Sequence, residues 1–223
     1  MILSLELENR HGRAKLVPGM SEAAAFGFRA HSGWAAAVAV AGSPDRPVVL
    51  ERRRIETADP AIPGSRQPYH AAERLGFERA DTLIRQCHDS SMRLAMRAVS
   101  AMLAQLEQSG LTVVGSGILF ASGRPLPDLA ATLRSHALIH TAEGEFFRDV
   151  LVRASEHCSL HVTKVKEREI WDRGTSVFRV PSADLQQRID GLGRSLGPPW
   201  RRDEKLASLA AWIALAESMN VER

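Results

Sequence analysis

The stretch LTVVGSGILF at residues 111–120, with the pattern that follows it, is the strongest indication of an α/β fold. Its apolar residues predict a buried strand, and its glycines predict the close approach of a neighbouring helix or backbone. The next segments predict a helix as far as Arg134, a short strand over Ala137–His140, a second helix, and a strand over Leu160–Val165. Strands that alternate with helices in this way are typical of a parallel βαβαβ layer.

The segments before this layer predict a hairpin and a long helix. Two strands over Gly33–Val40 and Val48–Ile55 are joined by a Gly-Ser-Pro-Asp turn, which is typical of a hairpin. A helical stripe of apolar residues over Glu78–Gln108 predicts a long helix, and Gly110 supplies the residue that commonly ends one. Beyond Trp171 the pattern predicts shorter C-terminal helices.

The length and composition of the chain fit one core domain with extensions. A chain of 223 residues, 44% hydrophobic and 25% charged, is ordinary for a soluble globular protein. We predict an N-terminal extension over residues 1–22, an α/β core over 23–170 and a C-terminal helical extension over 171–223 that packs on the core. Cys87 and Cys158 both fall among apolar neighbours in helical patterns, which predicts reduced thiols and a cytoplasmic protein.

A candidate site follows from the layer, because open α/β sheets bind ligands at the carboxyl ends of their strands. There the sequence predicts that His140 ends a strand, that Thr141 caps the next helix, and that Glu143 and Glu145 lie in its first turn. His140 is a candidate acid or base, and either glutamate is a candidate partner or metal ligand. The same residues also fit an ordinary capped helix, because acidic residues in a first turn complement the helix dipole.

The preceding strand exit supplies a second set of candidate residues. Ser122 is a hydrogen-bond donor and Arg124 is a candidate clamp for phosphate or carboxylate, although Gly123 between them also fits a plain strand-to-helix turn.

Acidic residues near the strand exits raise the alternative of a metal-dependent nuclease, which needs several carboxylates that converge on Mg²⁺. The candidates are Glu143, Glu145, Glu167, Glu169 and Asp203. The strand predicted to come first, however, carries no acid, so a charged rim is the other interpretation. No cofactor is expected, and Mg²⁺, or Mn²⁺ in its place, is a candidate ion for the nuclease alternative.

The order of elements resembles a ribonuclease-H-like three-layer fold and, within it, the middle domain of archaeo-eukaryotic peptide-chain release factors and their bacterial relatives. The resemblance rests on the loop PGSRQPYHAAER at residues 63–74, before the long helix, and on the pattern over residues 111–165. In those factors a glycine-rich loop that ends in glutamine reaches the ribosomal peptidyl-transferase centre. The resemblance therefore implies a binding loop formed by Arg66, Gln67 and Tyr69.

Three functions follow from these patterns. The leading one is a cytoplasmic protein that binds RNA or a ribosomal surface, because the net charge of +3 and the basic segments permit contact with nucleic acid. Peptide release itself is not implied, since the Gly-Gly-Gln tripeptide is absent. The alternatives are a metal-dependent nuclease or small-molecule hydrolase that uses the strand-exit pocket, and a non-catalytic scaffold that exposes Trp212 and Ile213. No stretch approaches the roughly 18–20 apolar residues of a membrane span, so a membrane partner is not expected.

Overall fold

The computed structural model describes residues 22–121 and 125–221. The strands are β1 (Glu22–His31), β2 (Trp34–Ser43), β3 (Arg46–Glu56), β4 (Leu111–Phe120) and β5 (His161–Lys166). The helices are α1 (Pro68–Ala72), α2 (Phe77–Gln108), α3 (Leu129–Leu133), α4 (His136–His157), α5 (Ile170–Phe178), α6 (Ser182–Leu192) and α7 (Arg202–Val221).

The five strands form one mixed sheet in the order β3-β2-β1-β4-β5. The first three strands are antiparallel neighbours, whereas β4 pairs in parallel with both β1 and β5. The carboxyl ends of the three parallel strands therefore lie at one edge of the sheet, where His31, Phe120 and Lys166 end them. Candidate sites are expected at this edge.

Helices cover both faces of the sheet. Because side chains alternate along a strand, Phe26 and Phe28 of β1 face the cluster that contains α2 and α4, whereas Ala25 faces the cluster that contains α7. Within the latter, every residue from Leu206 to Ala216 is buried. The arrangement is a three-layer α/β/α sandwich.

Helix α7 packs very close to the sheet because glycines face it. A Cβ atom added to Gly27 would collide with the carbonyl oxygen of Ala207, and one added to Gly117 would collide with that of Ala210. The predicted role of the glycines in β4 is therefore confirmed.

Two residues of α7 decide the scaffold alternative. Trp212 is fully buried, stacks on Phe178 and donates a hydrogen bond from Nε1 to the carbonyl oxygen of Pro44 at 2.9 Å. Ile213 is also fully buried. The exposed patch that would favour a scaffold is thus absent at these two residues.

One strand is missed by the sequence pattern and one predicted strand is wrong. No strand is predicted over residues 23–32, but β1 is the central strand, and its alanine-rich, doubly buried sequence lacks the alternation that marks a half-exposed strand. The predicted short strand over Ala137–His140 is instead the start of α4. Three apolar residues followed by a histidine do not distinguish a strand from a buried helical turn.

Because α4 begins at His136, the prediction that Thr141 caps this helix is also wrong. Thr141 lies inside α4, where its hydroxyl donates to the carbonyl oxygen of Ala137 at 3.0 Å, and the residue that precedes the helix is Ser135. The domain boundaries at residues 22 and 170 stay predictions. Within the described part of the chain, no helix is long and apolar enough to cross a membrane.

The contact between α7 and the sheet predicts a large effect of one added methyl group. We expect Gly117→Ala to lower the free energy of unfolding by about 1–3 kcal/mol or more, because a backbone carbonyl must move to admit it. Urea unfolding measures this change. Gly191→Ala is the matched control, since nothing lies within 4 Å of the added atom and its φ is not positive. Equal stability of the two variants would contradict the close packing.

Candidate functional site

A polar cavity of about 240 Å³ opens beside the carboxyl end of β1. Helix α1 and the first half of α4 form its other walls. We call it the histidine pocket. Its polar lining residues are His31, Ser32, Gln67, His70, His140, Glu143 and Arg148.

The pocket brings together three of the residues singled out in the sequence. Gln67, His140 and Glu143 line it. Gln67 lies in the predicted loop, whereas His140 and Glu143 come from α4 rather than from a strand exit. Glu145 and Tyr69 line a neighbouring cavity instead. These roles in binding or catalysis stay predictions.

The other candidates lie elsewhere. Arg66 is exposed and its side chain lies beside Gly33. Ser122 and Arg124 lie outside the described residues.

Glu143 is the central polar group of the pocket. Its side chain is buried, and its Oε2 lies 2.6 Å from Nδ1 of His70. The same carboxylate accepts the backbone N–H groups of Tyr69 and His70, at 3.3 and 3.2 Å. One buried side chain of α4 therefore holds both the first turn of α1 and the imidazole of His70.

The electrostatics of Glu143 follow from two opposing effects. Burial raises the pKa of its carboxyl above the ordinary value, because the charged form loses hydration. The hydrogen bonds from His70 and from the two backbone N–H groups favour the charged form and offset part of this shift. The carboxylate therefore holds the adjacent imidazole in a defined orientation.

Two further histidines complete a cluster at the mouth of the pocket. His136 and His140 lie one turn apart on α4, and their Nε2 atoms are 3.1 Å from each other. With His70 they offer three ligand atoms, all within 4.8 Å of one another. His70 and His136 were not candidates from the sequence. The spacing of four between His136 and His140 is the signal that could have found the pair, had the helix been placed correctly.

A second polar cluster lies at the same edge of the sheet. Arg29, near the end of β1, donates through Nε and a terminal nitrogen to the two carboxylate oxygens of Glu167, at 3.1 and 3.0 Å. Its other terminal nitrogen is paired with Asp203 at the start of α7. His31 also contacts Asp203, at 3.2 Å from Nε2. Burial lowers the pKa of His31 despite this carboxylate.

This second cluster bears on the Mg²⁺ alternative. The two sequence-predicted acids that converge at the sheet edge, Glu167 and Asp203, share the guanidinium of Arg29 between them. Mg²⁺ requires several oxygen ligands in octahedral geometry, whereas the histidine cluster offers nitrogens. Neither cluster among the described residues presents an open set of oxygen ligands, and Mg²⁺ stays a prediction.

Basic residues surround both clusters. A cavity of about 370 Å³ lies at the end of β4. Three of its lining residues are Arg148, Arg168 and Arg202, and we call these three residues the arginine rim. Arg168 and Arg202 are largely exposed, and Arg148 also lines the histidine pocket. Each has an acidic neighbour, so the rim is only moderately positive.

The comparisons with known proteins identify the fold. No protein-family model matches the chain, and no curated protein matches it. Among solved structures, it is similar to Thermus thermophilus RuvC in complex with a Holliday junction substrate, at 10% identity and a TM-score of 0.52. The match covers 88% of this chain and 95% of that one. A second Thermus thermophilus RuvC structure matches at 10% identity and a TM-score of 0.48, over 88% of this chain and 96% of that one.

The chain therefore has a ribonuclease-H-like α/β fold, as the order of its elements predicts. At 10% identity the similarity concerns the fold alone. The narrower resemblance to release factors receives no support from these structures.

The position of Glu143 predicts a specific loss of stability. We expect Glu143→Ala to lower the free energy of unfolding by about 1–3 kcal/mol, because backbone N–H groups at the start of α1 lose their acceptor. Glu143→Gln keeps one acceptor oxygen and should lose less. Thermal and urea unfolding measure both variants. The control is Glu145→Ala, which removes only a partly exposed ion pair with Arg148. An equal loss in this control would show that Glu143 has no special role.

The pairing of Arg29 predicts a second effect. We expect Arg29→Met to lower the free energy of unfolding by about 1.5–3 kcal/mol, because Glu167 and Asp203 lose charged hydrogen-bond donors. Urea unfolding is the measurement. Arg85→Met, which breaks an exposed pair with Asp81, should cause a much smaller loss. If both variants lose the same stability, the Arg29 cluster does not hold β1 to α7.

Proposed function

We propose that the protein acts on nucleic acid as a phosphodiester hydrolase whose chemistry takes place in the histidine pocket. A nuclease is one of the alternatives that the sequence suggests. The site proposed for it lies between α1 and α4, whereas the sequence placed it at a strand exit. The ribonuclease-H-like fold is consistent with it, because the RuvC structure that resembles this chain is bound to a Holliday junction substrate. Fold alone does not assign a reaction, so the proposal depends on the site.

The observation that carries the proposal is the pairing of His70 with the buried Glu143 at 2.6 Å. A carboxylate at Nδ1 orients the imidazole and leaves Nε2 to act on a ligand. His140 lies beside it, with ring centroids 4.7 Å apart. These two imidazoles supply nitrogen lone pairs that activate a water molecule, either directly or through a metal ion that they bind. The water attacks phosphorus and displaces one ester oxygen, which leaves with a proton. Gln67 lines the same pocket and supplies hydrogen bonds to a phosphate oxygen or a base.

The arginine rim supplies the attraction for the substrate. Guanidinium groups pair with phosphate oxygens through two parallel hydrogen bonds, and several such contacts position a backbone without reading its sequence. Arg148 lines both the rim and the histidine pocket, so a strand bound along the rim passes the proposed reaction centre.

A second candidate function is nucleic-acid binding without hydrolysis, which keeps the RNA-binding hypothesis in a more general form. The observation that favours it is the guanidinium of Arg29 between Glu167 and Asp203. Those two acids are engaged in an ion pair and are not free to hold the metal ions of a carboxylate-based nuclease. Ribosome association is the narrower version of this candidate.

Cleavage assays distinguish the two functions. The full chain is incubated with a four-way DNA junction, duplex DNA and structured RNA, with Zn²⁺, Mn²⁺ or Mg²⁺ and with a chelator. We expect cleavage of at least one substrate, and a loss of about 100-fold or more in His70→Ala and His140→Ala. His157→Ala is the control, since it lies in the last turn of the same helix. Binding without cleavage supports the second candidate, and neither activity would remove both.

The rim predicts a salt-dependent contribution to binding. We expect Arg168→Ala combined with Arg202→Ala to weaken binding to every sequence alike. The slope of log K against log[salt] should become shallower by about 2, because two phosphate contacts are lost. Gel shifts at several salt concentrations measure both quantities. Arg85→Ala, an exposed arginine on α2, is the control. An unchanged slope would place the nucleic acid elsewhere.

A further inference from the structure

The three histidines at the mouth of the pocket are spaced as ligands of one metal ion. Their ligand atoms all lie within 4.8 Å of one another, and the Nε2 atoms of His136 and His140 are 3.1 Å apart. Zinc–nitrogen bonds of about 2.0–2.1 Å in tetrahedral geometry place two nitrogens about 3.3–3.4 Å apart. The pair on α4 is already near this separation, and modest rotation of exposed imidazoles brings the third to it.

The third ligand is held by a buried partner. Glu143 occupies Nδ1 of His70 and also fixes the backbone of α1, so Nε2 is the nitrogen that remains for a ligand. Metal-binding histidines commonly place a carboxylate on the ring nitrogen that does not bind the metal, which fixes the ring and strengthens its basicity. The chain thus builds both the ligands and the support that such a ligand requires.

The charges around the cluster favour a dication. The carboxylate of Glu143 lies against His70, and Oε1 of Glu73 lies 3.8 Å from Nδ1 of His136. The start of α4 opposes a cation with a partial positive charge of about half a unit. The combined negative charge of the Glu143 and Glu73 carboxylates exceeds this partial positive charge.

We infer that His70, His136 and His140 bind one transition-metal dication of the zinc class. Imidazole ligands suit Zn²⁺, Ni²⁺, Cu²⁺ or Fe²⁺ and do not suit Mg²⁺. Three protein ligands leave a fourth position for water or a phosphate oxygen, as in catalytic zinc sites. The inference rests on the proposed function for its role in the reaction, where the ion lowers the pKa of the bound water. Metal binding itself is tested independently of that reaction.

The test is a metal titration of the untagged full chain after chelator treatment. Co²⁺ is the first probe, because its visible absorption is characteristic of tetrahedral nitrogen coordination, and Zn²⁺ is followed by calorimetry. We expect one equivalent of either ion to bind. His70→Ala, His136→Ala and His140→Ala should each weaken binding at least tenfold. Glu143→Gln should weaken it by about 10–100-fold, because the support of His70 is lost.

Controls separate metal binding from folding. His157→Ala removes an exposed histidine from the other end of α4 and should leave the titration unchanged. His136→Ala is the decisive variant, because His136 is exposed and is the first residue of α4. Its far-ultraviolet circular dichroism and thermal unfolding should match those of the unsubstituted chain. Absence of the tetrahedral Co²⁺ spectrum, or equal binding by the three histidine variants and the control, would overturn the inference.

Failure of the metal site and failure of the proposed function give different results. Tight metal binding without cleavage of any nucleic acid removes the hydrolase proposal and leaves the metal site. Cleavage that depends on His70, together with no Co²⁺ or Zn²⁺ binding in the titration, removes the metal site and leaves the hydrolase.

Discussion

The candidate site depends on one contact, between the buried carboxylate of Glu143 and the start of α1. That carboxylate accepts two backbone N–H groups and a hydrogen bond from the ring of His70, so it fixes the first turn of the five-residue helix α1. Such a short helix is marginal by itself. The cost of burying the charge is offset by these three hydrogen bonds, and the result is an imidazole with a defined orientation at the mouth of a cavity.

The edge of the sheet carries two polar clusters with different chemistry. In one, Arg29 joins Glu167 to Asp203 and holds β1, the end of β5 and α7 together with charged hydrogen bonds. In the other, three histidines and a buried glutamate surround an open cavity. His31 links them, because it lines the histidine pocket and also contacts Asp203. The imidazole nitrogens of the histidine cluster are suited to bind a ligand, whereas Glu167 and Asp203 are engaged by Arg29. The proposed chemistry is therefore placed in the histidine cluster.

Much of the fold could be predicted from local pattern. The long helix, the β2–β3 hairpin and the strands on either side of α4 have a clear periodicity or turn signal, and the glycines of β4 correctly indicated the close approach of α7. The central strand β1 could not be predicted, because alanine is a weak strand former and a doubly buried strand shows no alternation. The prediction of a strand at residues 137–140 was wrong for a related reason, since a short apolar run fits either a strand or a helical turn.

From the sequence, His140 and Glu143 are candidates at a predicted strand exit, and Gln67 is a candidate through the resemblance of its loop to that of release factors. Which of these groups meet follows from the tertiary structure. His70 joins Glu143 across 73 positions of sequence, and Arg29 joins Asp203 across 174. Contacts of such separation depend on how α1 and α7 pack against the sheet. That packing is set by shape and burial summed over the whole core, which no local pattern of residues encodes.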